Sequence, residues 1–155
     1  MTLIGTPAPD FERPDQHGRT WRLSALRGHA VVIVFFPFAF TRVCTGELAE
    51  LRDEMLPSLP DGTVVLAMSC DSMFALRVFA ESEKLEFPLL SDFWPHGVVA
   101  SSYGVFDEER GCARRGSFLI DAKGIVRWSV VNAIPNARDV DDYRRALDGL
   151  AITSR

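Results

Sequence analysis

Residues 30–56 read AVVIVFFPFAFTRVCTGELAELRDEML, seven apolar residues followed by a proline, a short loop and a helical pattern. The opening Ala30-Val31-Val32-Ile33-Val34-Phe35-Phe36 is β-branched and aromatic with no polar alternation, which predicts a central strand covered on both faces. Leu48, Leu51, Met55 and Leu56 recur at helical spacing within 47–56, and Pro57 stands near the end of that helix. Between the two lies Cys44. A free cysteine is ordinarily a small core hydrophobe. One in the first turn of a helix instead faces unpaired backbone N–H groups and the positive end of the helix dipole, which favour a thiolate.

Working outward, Asp15-Gln16-His17-Gly18-Arg19, flanked by Phe11 and by Trp21 and Leu23, predicts a hairpin. Val64-Val65-Leu66-Ala67-Met68 repeats the strand signal, and Ser72 is placed to cap a second helix running to about Glu83. A short helix is expected over 95–103 after the stretch 87–92. Ser117–Asp121 and Ile125–Val130 flank Ala122-Lys123-Gly124 as a second hairpin, and a last helix covers 140–150. The order predicts an α/β chain with a central mixed sheet flanked by helices and an N-terminal hairpin, an arrangement that suits a thioredoxin-like fold. Cys44 then sits where strand gives way to helix, at the sheet end where α/β proteins usually keep their ligands.

The 155 residues are read as a single domain, 1–155, large enough to bury a core without disulfides or structural metal. A net charge of −4 gives no electrostatic footprint for nucleic acid. No signal peptide is legible at the start of the chain, and the run from Ala30 to Phe40 is too short to span a bilayer, so a cytoplasmic location and no membrane partner are expected. Cys44, Cys70 and Cys112, with His17, His29 and His96 scattered among them, make neither a disulfide framework nor a zinc site.

The loop has the spacing Pro37-x-x-x-Thr41-x-x-Cys44. Thr41 lies one turn before the sulfur and has a hydroxyl to donate, and Pro37 fixes a backbone corner. This pattern resembles the active-site loop of the peroxiredoxins, and the likeness runs from Gly5-Thr6-Pro7-Ala8-Pro9-Asp10-Phe11 through Gly104-Val105-Phe106 to Arg115-Gly116-Ser117-Phe118. FFPFAFTRVCTGEL and FPLLSDFWPHG resemble more narrowly the alkyl hydroperoxide reductase E branch. Many peroxiredoxins have Pro-Thr-Glu after the cysteine, where this chain has Thr45-Gly46-Glu47.

The resemblance implies a thiol-dependent peroxidase acting on hydrogen peroxide, organic hydroperoxides or peroxynitrite, with Cys44 as nucleophile and Thr41, Pro37 and Arg115 completing the site. The order Arg-Gly-x-Phe selects Arg115 over Arg114, and Glu47 is expected to orient an arginine. No metal, haem or flavin cofactor is required, because sulfur itself takes the oxygen and becomes sulfenic acid. Five residues beyond Cys44 stands Ala49 rather than a resolving cysteine. An external thiol is therefore expected as reductant: mycothiol with a mycoredoxin, a glutaredoxin-like protein or thioredoxin. Cys112 is the one candidate for an internal resolving thiol, and Cys70 reads as buried and inert. A homodimer is implied by resemblance. A peroxide-sensing switch or binding module without turnover is the competing function.

Overall fold

The computed structural model describes residues 2–153, and side chains as far as residue 149. Its element order is β1 (Glu12–Pro14), β2 (Thr20–Arg22), β3 (Val31–Phe35), α1 (Arg42–Glu50), β4 (Val64–Ser69), α2 (Met73–Glu83), β5 (Leu89–Ser91), α3 (Val98–Ser102), β6 (Phe106–Asp107), β7 (Cys112–Ala113), β8 (Arg115–Ile120), β9 (Val126–Asn132) and α4 (Val140–Thr153). The central sheet has the order β5-β4-β3-β8-β9. β3 pairs parallel with β4 and antiparallel with β8, and so joins the parallel and antiparallel halves of a mixed sheet.

All five residues of β3 are buried, and successive side chains enter different cores. Val32 and Val34 pack with Leu48, Leu51 and Met55, with Leu76 and Phe79 of α2, and with Tyr143 and Leu147 of α4. Val31, Ile33 and Phe35 face the other way, onto Leu66, Met68, Tyr103 and Phe118. This two-sided burial is why the strand reads as a continuous apolar run.

The first helix begins at Arg42, ahead of the periodic stretch 47–56, so Cys44 lies in its first turn and packs in one buried cluster with Leu48, Leu51 and Met55. Beyond Glu50 the chain continues in one π turn, Leu51–Met55, and a 3-10 turn, Leu56–Ser58. Three short elements carry no sequence signal of their own: the edge strand β5 and the two-residue strands β6 and β7. Each is too short to establish a period of two. The short third helix is trimmed to Val98–Ser102. Among the described residues no helix is long and apolar enough to cross a membrane, and no group of three or more His, Cys, Asp or Glu side chains could hold a metal ion.

Candidate active site

Thr41 has extended backbone angles (φ −81°, ψ 152°) and stands as the N-cap of α1, so Arg42, Val43 and Cys44 form its first turn. Their N–H groups precede the first available intrahelical acceptor and are left to meet another partner. The Thr41 carbonyl accepts the next one, from Thr45, at 2.9 Å. Just before the cap, Phe40 takes φ +70°, a left-handed conformation rare for a bulky side chain. Its ring packs edge-on against Phe79, with centroids 5.1 Å apart.

The loop is pinned from the neighbouring strand. Asp71, just past β4, accepts the Ala39 N–H at 2.8 Å and the Ser69 hydroxyl at 2.7 Å through the same carboxylate oxygen. The Ser91 hydroxyl donates to the Asp71 carbonyl. The stretch Ser69-Cys70-Asp71-Ser72 thus fixes the loop 37–41 at the end of the sheet, a role sequence reading did not assign to Asp71.

The sulfur of Cys44 is fully buried within the apolar cluster. Arg115, the first residue of β8, places Nη1 at 3.3 Å from that sulfur and at 2.6 Å from Glu47 Oε1. Its Nε donates to the Ile134 carbonyl, which fixes the plane of the guanidinium. Arg115 is 2% exposed, whereas its neighbour Arg114 is exposed. Glu47, one turn along α1 from Cys44, holds a second cation that sequence reading missed. Arg138 donates its backbone N–H and Nε to Glu47 Oε2 at 2.6 and 2.9 Å, and Nη2 to Oε1 at 2.8 Å. Its Nη1 reaches the Gly116 carbonyl and the Ser117 hydroxyl, and Ser117 in turn bonds Tyr143. Arg138 lies in the aperiodic stretch Pro135-Asn136-Ala137-Arg138, where the only clue is that a buried Glu47 needs donors for both oxygens.

Burial pushes Glu47 up, but the guanidinium and backbone N–H of Arg138, with the charge of Arg115, more than offset this and hold the carboxyl below its ordinary range. Two guanidinium charges against one carboxylate leave one net positive charge beside the Cys44 sulfur.

Thr41 and Pro37 belong to the same place without touching the sulfur in any hydrogen bond. The Thr41 hydroxyl donates to the Phe38 carbonyl at 2.9 Å. Pro37, Phe38, Thr41, Val43 and Arg115 line a common open groove of about 260 Å³. Cys112 lies on β7, fully buried, its thiol pushed up to about 11 by burial and by the charge of Asp107. Cys70, past the end of β4, is buried too, and burial with the charge of Asp92 pushes its thiol up to about 12. All three cysteines are free.

Known proteins resemble the chain that carries this site over nearly its whole length. The family model described as AhpC/TSA matches residues 4–129. The chain belongs to the AhpC/TSA family. It is 41% identical over 151 residues to the alkyl hydroperoxide reductase E of Mycobacterium tuberculosis (strain ATCC 25618 / H37Rv), a match covering 97% of this chain and 99% of the relative. It is 34% identical over 164 residues to peroxiredoxin-1 of Gallus gallus, covering 99% of this chain and 81% of that one. The crystal structure of Enterococcus faecalis AhpC matches with a TM-score of 0.88 at 26% identity, over 99% of this chain and 95% of the other. This peroxiredoxin is accordingly a thiol-dependent peroxidase with the thioredoxin-like fold of its relatives.

Proposed function

We propose that Cys44 is the peroxidatic nucleophile and that this peroxiredoxin works by a one-cysteine mechanism. The observation that carries the reading is the Arg115 guanidinium, 3.3 Å from the Cys44 sulfur and held in place by Glu47. The thiolate attacks the terminal oxygen of a hydroperoxide, a sulfur–oxygen bond forms as the O–O bond breaks, and the departing alkoxide or hydroxide takes up a proton. Negative charge moves from sulfur onto the two oxygens. Fixed donors already aimed at that region stabilise it without reorganising. Arg115 and the first-turn N–H groups of α1 supply those donors, and Pro37 and Thr41 shape the wall. Hydrogen peroxide, organic hydroperoxides and peroxynitrite all present the required bond.

The product is Cys44 sulfenic acid with an alcohol from an organic hydroperoxide, water from hydrogen peroxide or nitrite from peroxynitrite. Its reduction falls to an external thiol, because Cys112 and Cys70 are buried and their thiols stay protonated at neutral pH, which makes them poor nucleophiles. Likeness to alkyl hydroperoxide reductase E supports mycothiol with a mycoredoxin as reductant, with a glutaredoxin-like protein or thioredoxin as alternatives. A cytoplasmic, single-domain homodimer completes the proposal. Capture of the sulfenic acid by Cys112 is the second reading, favoured by the place of that thiol three residues before Arg115. Replacement Cys44→Ser tests the assignment: peroxide consumption should vanish, whereas rapid oxidation of that variant would assign the chemistry to another residue.

A further inference from the structure

The chain carries a net charge of −4, yet the rim of the groove beside the site is positive. Two open grooves adjoin there and share Arg110, Ile134 and Pro135. The first, about 260 Å³, also reaches Arg42, Phe38 and Val43, and the second, about 190 Å³, is bounded by Arg114 and Asp107. Asp107 is paired with Arg110, Nη1 to Oδ2 at 3.1 Å. Arg42 and Arg114 are exposed, and neither has an ion pair among the described residues. Three rim guanidinium groups against one carboxylate leave two positive charges above a floor of Phe38, Val43, Ile134 and Pro135. Hydrogen peroxide, small and neutral, gains nothing from such a rim.

We propose that Arg42, Arg110 and Arg114 bind the carboxylate of a small molecule whose apolar body lies along this floor and whose other end reacts at Cys44. Two sources have that chemistry: an organic hydroperoxide ending in a carboxylate, and a low-molecular-weight thiol carrying one. The first is a substrate, the second a reductant of the sulfenic acid. The inference rests on Cys44 as the reacting sulfur. Guanidinium suits the task because its planar fork meets both carboxylate oxygens at once.

Two matched pairs test it by stopped flow: a straight-chain hydroperoxide ending in a carboxylate against its methyl ester, and 3-mercaptopropionate against its amide. Each rate is measured on the wild type and on the Arg42→Ala/Arg114→Ala double variant. The carboxylate-to-neutral rate ratio should be larger in the wild type by about two- to five-fold for each arginine removed, the scale of an exposed ion pair. The excess should shrink with salt, as the screening length falls from about 10 Å at 0.1 M to about 3 Å at 1 M. An excess in the peroxide pair names the substrate, and one in the thiol pair names the reductant. Equal ratios in wild type and double variant, for both pairs, overturn the proposal. Hydrogen peroxide run alongside separates the two claims. If it oxidises Cys44 and no excess appears, the rim alone is wrong; if it does not, both fall.

Discussion

At the scale of the residue, the proposed reactivity of Cys44 turns on one guanidinium. Arg115 touches both the Cys44 sulfur and Glu47, so it couples the site to the buried ion network behind it. Arg115→Ala removes the donor closest to the developing oxygen charge and should slow Cys44 oxidation by about ten-fold or more. Arg115→Lys keeps a charge but loses the fork that serves sulfur, Glu47 and the Ile134 carbonyl together, so it should recover only part of the rate. A near-wild-type rate for the alanine variant, measured by stopped flow, would leave Arg115 a structural role only. Cys44 and Arg115 could be proposed from sequence because they stand at fixed offsets in motifs. Arg138 could not: its link to Glu47 spans 91 residues, and nothing local to it is periodic.

At the scale of the element, Gly116 shows how a strand is set in place. A Cβ there would lie 2.7 Å from Val105 Cγ1, so β8 packs closer to the segment before β6 than any side chain permits. Gly116→Ala should destabilise the protein by about 1–3 kcal/mol, the usual cost of overpacking, and slow oxidation through displacement of Arg115. Trimming the neighbour in a Gly116→Ala/Val105→Ala protein should restore part of both. Thermal unfolding and stopped-flow rates check this, and a double variant no better than the single one would contradict it. Long elements were legible because they repeat: β3, β4, α1 and α2 each display their period or a continuous buried run. The start of α1 was not, because its first turn is held by capping geometry at Thr41 and a left-handed Phe40, which hydrophobic spacing does not record.

At the scale of the whole molecule, buried ionisable groups should shape stability from both sides of neutrality. Glu47 is held below its ordinary range in the folded state, so its contribution is present above about pH 4.3 and is lost as pH falls through the depressed folded value. Cys112 and Cys70 are raised to about 11 and about 12, so they stay neutral in the fold while the unfolded chain ionises. Their contribution is present below about pH 8.5 and falls progressively above it. Denaturant unfolding across pH should therefore show an acid limb that Glu47→Gln flattens, at lower overall stability. It should also show an alkaline limb that is shallower in a Cys70→Ser/Cys112→Ser protein, in which buried Tyr103 and Tyr143, both raised by burial, still contribute; an alkaline limb unchanged in that variant would refute the assignment. The mixed character of the sheet and its flanking helices followed from the alternation of strand and helix in sequence; the strand order did not, because its edge strand β5 is too short to carry a signal. The network tying α1 to β8 and to Arg138, ahead of α4, is tertiary and emerges only when these elements meet.

The most direct test is the intact mass of the reduced protein after one equivalent of hydrogen peroxide, with no thiol added and the rate followed by stopped flow. A one-cysteine peroxidase predicts fast reaction and a gain of one oxygen that maps to Cys44, unchanged in form when Cys70 and Cys112 are both serine. Loss of two hydrogens, with a Cys44–Cys112 bridge in the peptide map, would contradict it and make Cys112 the resolving thiol.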